Sequence, residues 1–225
     1  MNKISASLMC ADLAYLYEEI KKLEQAGVDW LHIDIMDGHF VPNFTFGPDI
    51  VKKVREITSL PLDIHLMVEE PERYIDIWQP TSKDIISFHI EAKSKPEEVI
   101  EQIKTKQSRP ALALNPQSPI EAVVPFLTSL DMILLMTVNP GFAGQKWIPE
   151  VLDKVGQLKK LAQEKNLAID IQVDGNIGEH NIALLQKAGA NIFVAGSASV
   201  FASRDYLSNV SKMHTWLEGG RKKGE

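Results

Sequence analysis

The chain alternates two hydrophobic patterns along nearly its whole length. Short β-like runs are each followed by a segment whose apolar residues recur at helical spacing, as Leu13, Leu16, Ile20 and Leu23 do in "LAYLYEEIKKLEQAG". That helix follows "KISASL", and seven more pairs come after it: "WLHIDIM" with "PDIVKKVREI", "PLDIHLMV" with "PERYIDIWQ", "IISFHI" with "PEEVIEQIK", "PALALN" with "PIEAVVPFL", "MILLMTV" with "PEVLDKVGQLKKLAQEK", "AIDIQVD" with "EHNIALLQKAG", and "NIFVAG" with "RDYLSNVSKMHTWL". Proline near several helix starts suits a first helical turn. Alternating strands and helices imply a parallel sheet with right-handed crossovers. Eight such units within 225 residues predict a closed (β/α)8 barrel, the TIM-barrel fold, in the α/β class. An open doubly wound sheet fits less well, because the first turn, "SLMCADL", has no dinucleotide glycine fingerprint and no Walker sequence occurs. No linker divides the chain, so residues 1–218 are expected to form one domain and 219–225 a flexible tail.

Composition narrows the partners. A net charge of -6, with basic residues dispersed apart from the terminal "GGRKKGE", gives no stripe for nucleic acid and no basic amphipathic helix for a membrane. No window approaches the apolar length of a membrane span, and "MNKISASLMCADL" lacks a signal-peptide core, so a cytoplasmic protein with a small-molecule partner is expected. The single cysteine, Cys10, excludes an internal disulfide framework and reads as a packed thiol.

The strands carry polar residues where a core prefers apolar ones. Alternation puts His32, Asp34 and Met36 on one face of "LHIDIM", with Ile33 and Ile35 on the other. The same division places Asp63, His65 and Met67 together, and Asp170, Gln172 and Asp174 together. In a barrel these faces point inward, and catalytic groups collect at the C-terminal strand ends. Buried carboxylates are costly unless they are paired, hydrogen-bonded or bound to metal. His32, Asp34, His65 and Asp174 form a mixed N/O set suited to Zn, Mn, Fe or Co as a divalent ion. Asp63 and Asp170 lie deeper and are candidates for supporting that set. Met36, Met67 and Met136 are inward fillers, and His89, at a strand end, is a further pocket candidate.

Three late loops, "VNPGFAGQKWIPE", "DGNIGEH" and "AGSASVF", gather glycines and small hydroxyl residues where many barrels bind phosphate. Lys146 is the only lysine among them, so backbone amides and Ser197 would provide most of the grip. The loops "HFVPNFTFGP" and the stretch after Asn139 are long enough to act as lids.

With these residues in view, the chain resembles the ribulose-phosphate 3-epimerase family from Ile4 to about Phe201, through "HIDIMDGHFVPN", "DIHLMV", "MTVNPGFAGQ", "VDGN" and "AGSA" in order. The resemblance implies a barrel of the ribulose-phosphate-binding type that inverts C3 of a phosphorylated ketose with one divalent metal ion, Mg included among the choices. It implies that His32, Asp34, His65 and Asp174 hold the metal. Asp34 and Asp174 would exchange the C3 proton on opposite faces through a cis-enediolate. Ser7, His65, Gly141, Phe142, Ala143, Gly144, Asp174, Gly175, Asn176, Gly196 and Ser197 would meet substrate and phosphate, and the three methionines would line the reacting centre. A homo-oligomer is expected.

Two departures from the commonest family pattern bear on the sugar. Gly175-Asn176 stands where Gly-Gly is usual, and "GFAGQ" where "GFGGQ" is usual; with "SLMCADL" these resemble the branch acting on D-allulose 6-phosphate, which favours that sugar and its D-fructose 6-phosphate epimer. D-ribulose 5-phosphate with D-xylulose 5-phosphate is the alternative. Asn176 could reach a sugar hydroxyl or the phosphate, or occupy a turn. A decarboxylase or aldolase-like synthase on the same barrel would want an inward lysine at the strand ends, and none is found there. A non-catalytic sugar-phosphate-binding barrel would keep the site without turnover.

Overall fold

The computed structural model describes residues 1–219 and shows eight parallel strands closed into a barrel in sequential order, the last pairing with the first. The strands are β1 (Lys3–Ser7), β2 (Trp30–Met36), β3 (Leu62–Met67), β4 (Ile85–His89), β5 (Arg109–Leu114), β6 (Met132–Met136), β7 (Asp170–Asp174) and β8 (Ile192–Ala195). The helices are α1 (Leu16–Ala26), α2 (Pro48–Ile57), α3 (Pro96–Thr105), α4 (Val151–Glu164), α5 (Ile182–Ala188) and α6 (Tyr206–Gly219). The (β/α)8 TIM barrel expected from the alternation is the fold. α6 reaches Gly219, and residues 220–225 of the expected tail lie outside the described residues. Among the described residues, no helix is long and apolar enough to cross a membrane.

Two expected helices do not form as α-helix. "PIEAVVPFL" folds as 3-10 turns over Ile120–Ala122 and Val124–Ser129, because Pro125 in an α-helix would forfeit a hydrogen bond to Glu121 and drive its ring against that carbonyl. "PERYIDIWQ" forms a 3-10 turn at Pro71–Arg73 followed by further turns, including Ile77 N–H donating to the Tyr74 carbonyl at 3.0 Å. Its run of aromatic and β-branched residues favours helix weakly, and Pro80 stops any extension. Both segments still carry the chain back across the barrel, so topology is unaffected.

The strand faces divide as the alternation predicts. Ile33, Ile35, Ile64, Leu66, Ile171 and Val173 pack into the apolar layer shared with helix residues such as Val51, Val99 and Val155. Inside the barrel, Trp30, Ile85, Ala111, Met132 and Ile192 form a plug at the N-terminal end, and Lys3 and Arg109 stack on the Trp30 ring at 4.3 and 4.9 Å. Polar residues fill the next levels. Register puts His32 beside Asp63, Asp34 beside His65 and Met36 beside Met67, while Met136 neighbours Asp174. A level of histidines and carboxylates therefore lies above an apolar plug and below a rim of methionines.

Candidate active site

The four proposed ligands come together. His Nδ1 or Nε2 and carboxylate oxygens of His32, Asp34, His65 and Asp174 lie within 4.8 Å of one another. His32 Nε2 is 3.2 Å from Asp34 Oδ1 and 3.6 Å from Asp174 Oδ2. His65 Nδ1 is 3.1 Å from Asp34 Oδ1 and 3.9 Å from Asp174 Oδ2. Both imidazoles are fully buried, and neither lines the cleft.

Asp63 sets the outer side of this cluster. Its Oδ2 accepts the Nδ1–H of His32 at 2.7 Å, the Ser5 hydroxyl at 2.8 Å and the Gln172 amide. An ionised carboxylate only accepts, so His32 Nδ1–H donates to Asp63, and Nε2 is the nitrogen turned toward Asp34 and Asp174. That nitrogen and two carboxylates then face one small space. Such a convergence is balanced by a proton or a cation, and the donor set fits a divalent metal. Asp170, the other deep carboxylate, takes no part: its Oδ1 accepts the Asn191 side-chain amide at 2.7 Å at the far end of β7.

Electrostatics divide the two cleft carboxylates. Burial would raise Asp34, but the charge and hydrogen bond of the His32 imidazolium outweigh it, and the carboxyl is held far below its usual range. Burial pushes Asp174 up to about 7; His32 pulls it down, and repulsion from Asp34 and Asp63 works with burial. Burial likewise opposes charge on His32, yet Asp63 and Asp34 prevail and keep its pKa well above 6.5. Two carboxyls whose surroundings push their pKa values apart in this way can act as an acid/base pair.

Above them opens a cleft lined by Ser7, Met36, Met67, Met136, Gly141, Phe142, Ala143, Gly144, Asp174, Gly175, Asn176, Gly196 and Ser197, among others. Ser7 Oγ donates to Asp34 Oδ2 at 3.1 Å. Gly175 has φ +120°, and a Cβ there would lie 2.6 Å from Val138 Cγ2 and 2.8 Å from its backbone nitrogen, so only glycine fits. Gly141, at φ +114°, is similarly pressed against Val41, where a Cβ would lie 3.1 Å from that of valine. Lys146 is exposed, as are His39, His180 and His214. Burial pushes the Cys10 thiol up to about 11, in line with a packed, unreactive cysteine.

Two amides tie the loops over the cleft. Asn43 Nδ2 donates to the Gly141 carbonyl at 2.7 Å, and Asn176 Nδ2 donates to the Gln145 carbonyl at 2.7 Å. Asn176 is thus engaged with a neighbouring loop, its backbone at φ 52°. Asn43 and Glu91 were not singled out by sequence reasoning, whereas Gln172 was placed on the inward strand face. Glu91 sits two residues after His89, the same spacing that drew attention to His32 and Asp34, and it contacts the His89 ring at 3.1 Å.

Known proteins agree with this arrangement. The chain is 45% identical over 214 residues to a ribulose-phosphate 3-epimerase of Bacillus subtilis, covering 95% of this chain and 98% of that one. It is 43% identical over 213 residues to the enzyme of the same name from Methanocaldococcus jannaschii, covering 95% and 90%. A 3-hexulose-6-phosphate synthase from Salmonella typhimurium shares the fold at 14% identity and a TM-score of 0.66, over 98% of this chain and 100% of that one. The sequence model of the Ribulose-phosphate 3 epimerase family matches residues 3–201, and the chain belongs to that family of isomerases.

Proposed function

We propose that this chain is a metal-dependent ketose-phosphate 3-epimerase interconverting D-ribulose 5-phosphate and D-xylulose 5-phosphate. One observation carries the reading: Asp34 and Asp174 converge on one cleft floor with His32 and His65, where their surroundings push the two carboxyls apart, Asp34 down and Asp174 up to about 7. A single carboxylate cannot serve both faces of a planar enediolate, so inversion needs one group to remove the C3 proton and another to supply it. Asp34 Oδ2, oriented by Ser7, would take the proton in one direction, and the Asp174 carboxyl would deliver one from the opposite face. The roles reverse for the other epimer. His32, Asp34, His65 and Asp174 would hold a divalent cation, which when bound supplies Lewis-acid polarisation of the ketose C2 oxygen and stabilises enediolate charge. Met36, Met67 and Met136 would exclude water, and the amides of Gly175, Gly196 and Ser197 with the Gly141–Gly144 loop would receive the phosphate.

The five-carbon pair is preferred to the six-carbon pair that the departures at Ala143 and Asn176 favour. The relatives described above are named for ribulose phosphate, and the Asn176 amide is turned to Gln145. We place the enzyme in the cytoplasm, where a lone reduced thiol is expected. We also infer a homo-oligomer, since Leu13, Phe44 and Phe142 expose 54%, 75% and 51% of their surface on one apolar face beside the cleft. Light scattering tests the assembly.

Incubation of each sugar phosphate with metal-loaded protein in D2O, followed by NMR, tests the activity. Deuterium at C3 of the pentulose phosphates together with their interconversion is expected. No label and no epimer from either the five- or the six-carbon pair would reduce the protein to a binding barrel, and a higher kcat/KM for D-allulose 6-phosphate would overturn the choice of sugar.

A further inference from the structure

Behind the cleft carboxylates runs a line of hydrogen bonds that the chemistry above does not use directly. His65 Nε2 lies 2.9 Å from His89 Nε2, and His89 Nδ1 lies 3.1 Å from Glu91 Oε2. Both rings are buried, and Phe40 covers His89 at 4.7 Å between ring centres. Glu91 is held in turn by the loop after β5, accepting the Asn115 backbone N–H at 2.9 Å and the Ser118 hydroxyl. Lys154 on α4 anchors that loop, donating to the Ser118 carbonyl at 2.6 Å and to the Pro116 carbonyl.

The polarity of the line follows from its far end. A carboxylate has no proton to give, so the proton shared by Glu91 and His89 belongs to His89 Nδ1. The neutral His89 ring then offers a lone pair at Nε2, and the proton in the 2.9 Å contact belongs to His65 Nε2. His65 is left with its lone pair on Nδ1, 3.1 Å from Asp34 Oδ1, two acceptors that a cation between them would reconcile. The opposite tautomers would move the opposed acceptors to Glu91 and His89, which lie outside the candidate cation site.

We propose that Glu91, acting through His89, is a positioning residue that locks His65 in its Nε2–H tautomer and so aims the Nδ1 lone pair at the divalent cation. The inference rests on the metal centre proposed above. It assigns Glu91, His89, Ser118 and Lys154 to metal affinity, although none of them reaches the cation. On the other flank Asp63 does the same for His32 directly.

The test uses metal-stripped full-length protein titrated with Co²⁺ by calorimetry, alongside histidine ¹⁵N spectra of the metal-free wild type. His89→Leu removes both ring contacts, and Glu91→Ala removes the terminal acceptor. His89→Gln restores the polarity, with its oxygen toward His65 and its N–H toward Glu91. Metal affinity should fall about 10–100-fold in His89→Leu and Glu91→Ala. It should recover most of that loss in His89→Gln, and the wild-type spectrum should place the His65 proton on Nε2. Unchanged affinity in His89→Leu, or a wild-type His65 proton on Nδ1, would overturn the proposal. The wild-type spectrum decides even where a variant fails to fold. Wild-type protein that binds no Co²⁺ would overturn the metal centre itself, a failure distinguishable from loss of the relay alone.

Discussion

Asp63 Oδ2 accepts the Nδ1–H of His32 at 2.7 Å in the barrel interior, where neither side chain touches solvent. The same oxygen collects Ser5 and Gln172, so one carboxylate organises residues from β1, β2 and β7. Asp63→Asn keeps the volume but replaces the acceptor charge. Metal affinity should fall about 10–100-fold, as for other partners of metal-binding histidines. Stability should fall by about 1–3 kcal/mol. Calorimetric metal titration and chemical denaturation measure the two effects separately.

Asp174→Asn removes one of the two proposed acid/base groups. At saturating metal, epimerisation should drop about 10²–10⁴-fold, the usual worth of a positioned acid or base. Solvent exchange should be lost unevenly. One epimer should still take up deuterium at C3 through Asp34 and the other should not, which NMR in D2O resolves. Retained epimerisation would contradict the assignment.

Acid should weaken metal binding through His32. In the metal-free protein this imidazole keeps its proton to well above pH 6.5, because Asp63 and Asp34 outweigh burial. A cation must displace that proton, so affinity should rise about tenfold per pH unit until the ring is neutral. Calorimetry in buffers of different ionisation enthalpy reports the proton released. Stability runs the other way. A folded pKa raised above the unfolded one stabilises fully below about pH 6.5, and the stabilisation is lost as pH rises through the folded value. Metal-free protein should therefore lose stability in alkali, and metal-loaded protein should lose less.

Asn176→Gly should separate binding from folding. Glycine accepts φ 52° without strain, so the melting temperature should change little. The hydrogen bond to Gln145 disappears, and KM for the sugar phosphate should rise about five- to tenfold, the worth of one hydrogen bond. Asn176→Ala loses the same bond and adds left-handed strain, at a further cost of about 1 kcal/mol in unfolding experiments.

Much of this is legible in the sequence because a strand has a period of two. Inward His32, Asp34, His65 and Asp174 follow from alternation alone, and the barrel from the repeated alternation of strand and helix. Elements governed by local conflict are harder to read. Pro125 interrupts a helical pattern that hydrophobic spacing supports, and "PERYIDIWQ" has helical spacing with residues of weak helical preference. Partners brought by loops are hardest. Glu91 meets Ser118 and Asn115, and Asn176 meets the Gln145 carbonyl, only because the barrel aligns loops distant in sequence.

The placement of the four proposed ligands on the strands would couple metal binding to assembly. His32, Asp34 and His65 come from the adjacent strands β2 and β3, and Asp174 arrives from β7, more than a hundred residues later. A chain folded only through its first half presents three of the four donors, and the fourth is delivered when the last strands close the ring onto β1. A cation held by these four residues would therefore bind the finished barrel more tightly than a partial one and draw the final, long-range stage of folding toward completion.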